Sequence, residues 1–70
     1  MKTSAKNQLK GKITGIEPGA VNALVTLDIG GGNIIYSTIT MESVKNLGLK
    51  VGGEAYALIK ASSVIIGVDH

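Results

Sequence analysis

The sequence predicts an all-β fold with one short helix: an OB-like five-stranded barrel in the order β-β-β-α-β-β, used as an oligomer. Three observations predict it. Apolar residues are almost all aliphatic and recur with period 2 in short runs, the signature of strands. Glycine-, proline- and asparagine-containing turns separate those runs. One segment, between the third run and the fourth, switches to helical spacing, which is the layout of an OB-type partly open barrel.

The first strand is expected over Gln8 to Ile16, with Lys10, Lys12 and Thr14 on one side and Leu9, Gly11, Ile13 and Gly15 on the other. Glu17-Pro18-Gly19-Ala20 ends it, because proline fixes φ and glycine accepts φ > 0. Asn22 to Ile29 forms the second strand, Ala23, Val25, Leu27 and Ile29 sharing a face. Gly30-Gly31-Gly32-Asn33 reads as a hairpin turn into a third strand, Ile34 to Thr40. Thr40 or Met41 then precedes Glu42, a carboxylate suited to a helix start. Val44 and Leu47 share one face of that helix, and Gly48 can cap it in the left-handed conformation. A turn at Val51-Gly52-Gly53 leads to a fourth strand, Glu54 to Lys60, and a fifth runs from Val64 to about Val68. No repeat or linker interrupts this series, so residues 1–70 read as one domain with a core of about 3–68.

A chain of 70 residues buries only about 60% of the surface it exposes when unfolded, so its own core is marginal. Small domains compensate with disulfides, a structural metal or association. There is no cysteine, and the single histidine, His70, ends the chain, so self-association is the expected remedy and no metal is expected. The strand faces agree. Ile34 and Tyr36 oppose Ile35 and Ile39, and Tyr56 and Leu58 oppose Ala55, Ala57 and Ile59, placing apolar residues on both faces where a small barrel has one inside.

Several function classes are thinly supported. MKTSAKNQLKGK lacks the apolar stretch of a signal peptide, and no run approaches the roughly 20 apolar residues of a membrane span, so a cytoplasmic protein without membrane contact is expected. Glu17, Asp28, Glu42, Glu54 and Asp69 show no paired spacing, and no serine has a plausible histidine partner, so no enzyme is expected. The glycine run sits between two strands, without the helix that makes phosphate-cradling loops work. Single-stranded nucleic acid is a rival ligand, since OB barrels often bind it. Two tyrosines, no Phe or Trp and a net charge of +2 give it thin support. A purely structural oligomerisation module is the other alternative.

Anion binding is the better reading. Thr3-Ser4-Ala5-Lys6-Asn7 and Lys60-Ala61-Ser62-Ser63 each set small hydrogen-bond donors beside a lysine, and neither contains a carboxylate. A donor-only cage suits a fully deprotonated dianion such as molybdate, tungstate or sulfate, and disfavours hydrogen phosphate, whose proton wants an acceptor. Charge-assisted bonds contribute about 1.5–3 kcal/mol each, so four or more suffice for micromolar affinity after immobilisation is subtracted.

Five segments in order carry a family resemblance: Ser4 to Lys12 (SAKNQLKGK), Gly19 to Ala23 (GAVNA), Thr38 to Val44 (TITMESV), Leu47 to Gly52 (LGLKVG) and Ala57 to Val64 (ALIKASSV). Together they resemble the molbindins, the small Mop-type members of the TOBE domain group. The resemblance implies an OB-like barrel, a homohexamer arranged as a trimer of dimers, and molybdate or tungstate bound at subunit interfaces for intracellular storage or homeostasis. It implies no cofactor. Its main oxyanion site maps onto Ser4, Ala5, Lys6, Lys60, Ala61 and Ser62, drawn from neighbouring subunits, and a second class of site maps onto Gly19, Ala20, Val21 and Asn22. Lys6 stands where many relatives carry arginine, keeping the charge but losing the planar fork. Gly53 stands where an acidic turn residue is common.

Overall fold

Alternation in the first apolar run produces a long strand, β1 (Asn7–Pro18), whose Leu9, Gly11 and Ile13 turn inward while Lys10, Lys12 and Thr14 face out. The computed structural model describes residues 1–70, in which β1 is followed by β2 (Asn22–Gly30), β3 (Asn33–Thr40), the helix α1 (Met41–Leu47) and β4 (Glu54–Ile59). They form one antiparallel sheet in the order β3-β2-β1-β4. The first half of β1 pairs with β4, Asn7 opposite Ile59, and its second half with β2, Pro18 opposite Ala23. Only Lys12 has both neighbours, Asp28 and Glu54. A register shift between Ile13 and Gly15 leaves Thr14 as an extra residue. Such a bulge bends the strand and increases its twist, so the sheet curls into a half-barrel. Inside the curl Gly11 has no room for a side chain: a Cβ there would stand 2.5 Å from the Asp28 carbonyl oxygen.

Local signals account for the connections. Gly31 and Gly32 turn the β2–β3 hairpin with φ of +62° and +80°, a conformation glycine adopts without steric cost. The Asp28 carboxylate accepts from the Gly30 N–H, and the Asn33 side chain donates to the Gly30 carbonyl. Thr40 is the helix cap, its hydroxyl accepting from the Ser43 N–H at 3.0 Å, and Gly48 closes the helix at φ +63°. The loop before β4 lies against β1, the Gly52 N–H donating to the Ile13 carbonyl and the Ile13 N–H to that of Gly53.

Five residues of 70 are buried: Ile13, Ala23, Val25, Leu27 and Val44. They lie on the concave face, where α1 covers one part through Val44, and Ile16, Ile35, Ile39, Met41 and Leu49 pack around them. Leu47, on the same helix face as Val44 by spacing, is exposed and lines an open apolar groove. That groove, about 410 Å³, separates the two free sheet edges, with Ile35, Tyr36 and Ile39 of β3 on one side and Tyr56, Leu58 and Ile59 of β4 on the other.

The fifth strand expected over Val64 to Val68 is not formed, and this corrects the five-stranded, partly open barrel to a four-stranded half-barrel. After Ile59 the chain enters a 3-10 turn, Ala61–Ser63, in which the Ser63 N–H donates to the Lys60 carbonyl and the Val64 N–H to that of Ala61. Nothing returns the chain to a sheet edge. Ile65 is 93% and Ile66 82% exposed. The run has a strand's composition, but a strand needs an edge to pair with, and within this chain it meets none.

Candidate functional site

Antiparallel pairing decides where the donor segments go. Because Asn7 opens β1 opposite Ile59, which closes β4, residues preceding Asn7 and residues following Ile59 leave the sheet at the same end. The Asn7 side chain ties the two by donating to the Ile59 carbonyl at 3.1 Å. Thr3, Ser4, Ala5 and Lys6 thus form one wall of a shallow dish, and Leu58, Lys60, Ala61 and Ser62 the other. All six residues expected in the main site are brought together in this one chain. The resemblance drew the two segments from neighbouring subunits; here they adjoin through the β1–β4 ladder.

The dish has the chemistry of an anion receptor. Its two charged groups are the ammonium groups of Lys6 and Lys60, and no carboxylate lines it. None of the side-chain hydrogen bonds or ion pairs within the chain uses Ser4, Lys6, Lys60 or Ser62, so their donors are open to a ligand. Local bonds fix the walls instead: the Ala5 N–H donates to the Thr3 hydroxyl, and the Gln8 amide to the Ala5 carbonyl. The space is about 450 Å³. A tetrahedral oxyanion fills the room of roughly three waters, each about 30 Å³ in the liquid. One chain therefore offers a wide half-site rather than a closed cage.

Two other lysines, Lys10 and Lys12, face carboxylates. On the convex face Lys10 donates to Glu54 at 2.9 Å, and Lys12 stands between Asp28 and Glu54 in the sheet register. The hydrogen bond from Lys10, and then its charge, hold the Glu54 carboxyl below the ordinary carboxylate range, and the same contact raises the Lys10 ammonium. This face is a ladder of mixed charge and not a basic groove.

Gly19, Ala20, Val21 and Asn22 lie at the other end of β1, and the structure does not bring them to the dish. Part of that turn is committed to the fold: the Gly19 N–H donates to the Asn22 carbonyl, and the Val21 carbonyl accepts from the Met41 N–H. A Cβ at Gly19 would approach the Asn22 carbonyl oxygen to 2.7 Å. Among the residues of the dish, Thr3 and Leu58 were not in the expected set. Thr3 belongs to the same donor-rich segment, and Leu58 stands two residues before Lys60, on the same side of β4, so period 2 could have found it. No group of three His, Cys, Asp or Glu residues is placed to hold a metal ion, and no helix is long and apolar enough to cross a membrane.

Comparison with known proteins identifies the family and the fold. The TOBE domain model matches residues 3–66. The Haemophilus influenzae protein named "Probable molybdenum-pterin-binding protein" is 61% identical over 69 residues, covering 99% of this chain and 100% of the relative. The solved structure of MopII from Clostridium pasteurianum superposes with a TM-score of 0.89 at 48% identity, covering 96% of this chain and 100% of that one. A cytoplasmic molybdate-binding protein, ModG, solved with molybdate bound, gives a TM-score of 0.92 at 54% identity, with 99% of this chain covering 49% of that one.

Proposed function

This chain belongs to the TOBE domain family, and from that premise we propose that it binds molybdate without catalysis, in the dish between Thr3–Lys6 and Lys60–Ser62. One observation carries the placement: unpaired lysine and serine donors from both chain segments converge where no carboxylate intrudes. Lys6 and Lys60 supply charge to the dianion, Ser4 and Ser62 donate through their hydroxyls, and neighbouring backbone N–H groups complete the shell. Tungstate, with nearly the same shape and charge, fits the same donors. A role in cytoplasmic storage or homeostasis of the anion suits a protein that binds its ligand and leaves it unchanged. The Gly19–Asn22 turn is a secondary site in this reading. Single-stranded nucleic acid is disfavoured, because the convex-face lysines already face carboxylates.

The same reading makes the protein an oligomer, a hexamer built as a trimer of dimers, with sites completed between copies. Two features support it: the dish is shallow and open, and an apolar groove lies between the unpaired edges of β3 and β4. The apolar run Val64–Val68 of a second copy is the occupant that fits. It would find free backbone groups on β3 and β4, apolar walls on both sides, and relief from its own exposure. The fifth strand is then supplied in exchange between two copies.

Isothermal calorimetry with molybdate tests the site. Lys60→Ala is expected to weaken binding by more than about tenfold, the scale of one charge-assisted hydrogen bond, and to leave assembly intact. Equal affinities for the two proteins would remove Lys60 from the site.

A further inference from the structure

The Ala5 N–H, a backbone donor in the middle of one wall of the dish, is already engaged: it donates to the Thr3 hydroxyl at 3.1 Å. The Ala5 carbonyl is engaged as well, accepting from the Gln8 side-chain amide at 3.0 Å. Ala5 is therefore held from both sides, and Thr3 with it. Thr3 itself lines the dish, on the same wall as Ser4 and Lys6. A hydroxyl has one donor and two acceptor sites. The contact with Ala5 uses an acceptor site, and the Thr3 proton has no partner within the chain. Accepting one hydrogen bond polarises a hydroxyl and makes it a stronger donor in the next.

We infer that Thr3 is a further ligand-binding residue of the dish: its hydroxyl donates to the oxyanion and relays the Ala5 N–H behind it. This rests on the reading of the dish as an oxyanion site and adds a donor to that reading. The relay differs from the two serines in its preparation. The Ser4 and Ser62 hydroxyls make no bond within the chain, so the ligand must order them, whereas Ala5 already fixes the Thr3 oxygen. Less rotational freedom is lost when such a group binds. The Ala5 N–H is not withheld from the ligand either; it acts through Thr3.

Calorimetry with molybdate on the parent, Thr3→Val, Thr3→Ser and Gln8→Ala tests the assignment, with Lys60→Ala as the reference. Valine keeps the shape of threonine and lacks its hydroxyl. Thr3→Val is expected to weaken binding by about tenfold, the scale of one hydrogen bond to a charged group. Thr3→Ser is expected to bind as the parent does, and Gln8→Ala to lose less than Thr3→Val. The denaturant midpoint of Thr3→Val should match the parent's, because the Thr3–Ala5 contact is exposed. Parent-like affinity in Thr3→Val, where Lys60→Ala weakens binding, would overturn the role of Thr3 and leave the site standing. Tighter binding by Thr3→Val would overturn it too, by showing that the hydroxyl keeps the Ala5 N–H from the ligand. A Thr3→Ser protein as weak as Thr3→Val would assign the loss to shape, and a Gln8→Ala protein as weak would assign it to the holding of Ala5; either sinks direct donation. Absence of molybdate binding by the parent would overturn the reading of the dish itself, and the role of Thr3 with it.

Discussion

Lys10 and Glu54 show how little a single ion pair on an open face needs to do in order to matter. Their contact at 2.9 Å is fully solvated, so its contribution to stability is small and screened by salt. Its effect is to keep the convex face neutral, leaving Lys6 and Lys60 as a pair of cations at one end of the sheet. The sign of its pH dependence follows from the shifts. Glu54 titrates lower in the folded chain than in the unfolded one, so the pair stabilises above the ordinary carboxylate range and that contribution is lost as pH falls through the folded value. Lys10 titrates higher, so at the alkaline end the contribution persists until pH rises through its raised folded value. In an NMR titration Lys10→Ala is expected to return the Glu54 carboxyl towards its ordinary range, and an unmoved Glu54 would deny the contact. The donors were legible as residues: Ser4, Lys6, Lys60 and Ser62 stand in carboxylate-free segments. Leu58 was not picked out, because polar donors marked the site and an apolar residue is not one, although its spacing from Lys60 was visible.

At the scale of elements, local chemistry governs. Helix α1 has only seven residues, too few to persist alone, so its cap and its burial of Val44 carry it. Thr40→Ala is expected to cost about 1 kcal/mol, read as a lower denaturant midpoint at unchanged slope, while Thr40→Ser should keep most of it. A midpoint equal to the parent's would show that packing alone holds the helix. The turns behaved likewise: the glycine run made the hairpin, and Gly48 took the left-handed cap that its position after Leu47 suggested. Two features of β1 escaped the periodic pattern. Its bulge at Thr14 is set by pairing with β2, and its extension through Glu17-Pro18 follows because extended backbone suits proline where no partner N–H is required.

For the molecule as a whole, the decisive quantity is how little one chain buries. Five buried residues, two free sheet edges and an exposed Val64–Val68 arm leave much apolar surface that one chain does not cover, and the proposed second copy is what would cover it. Deleting residues 64–70 is expected to leave a folded but monomeric four-stranded sheet, seen as a drop to subunit mass in light scattering with the circular dichroism of strands retained. A truncated protein that still assembles would place the interface elsewhere, on the convex apolar residues Leu24 and Ile34.

Sequence alone settled the order of the elements from β1 to β4, the faces of those strands and the turn chemistry. All of these depend on neighbours a few residues apart, and period, φ preference and capping act over that range. Tertiary structure decided which distant segments meet. The β1–β4 register, beginning at Asn7 and Ile59, brings Ser4 and Ser62 to one rim of one chain, and the 3-10 turn after Lys60 denies the last apolar run an edge of its own. Register and edge are properties of two strands at once, and a linear pattern specifies each strand's faces without specifying its partner.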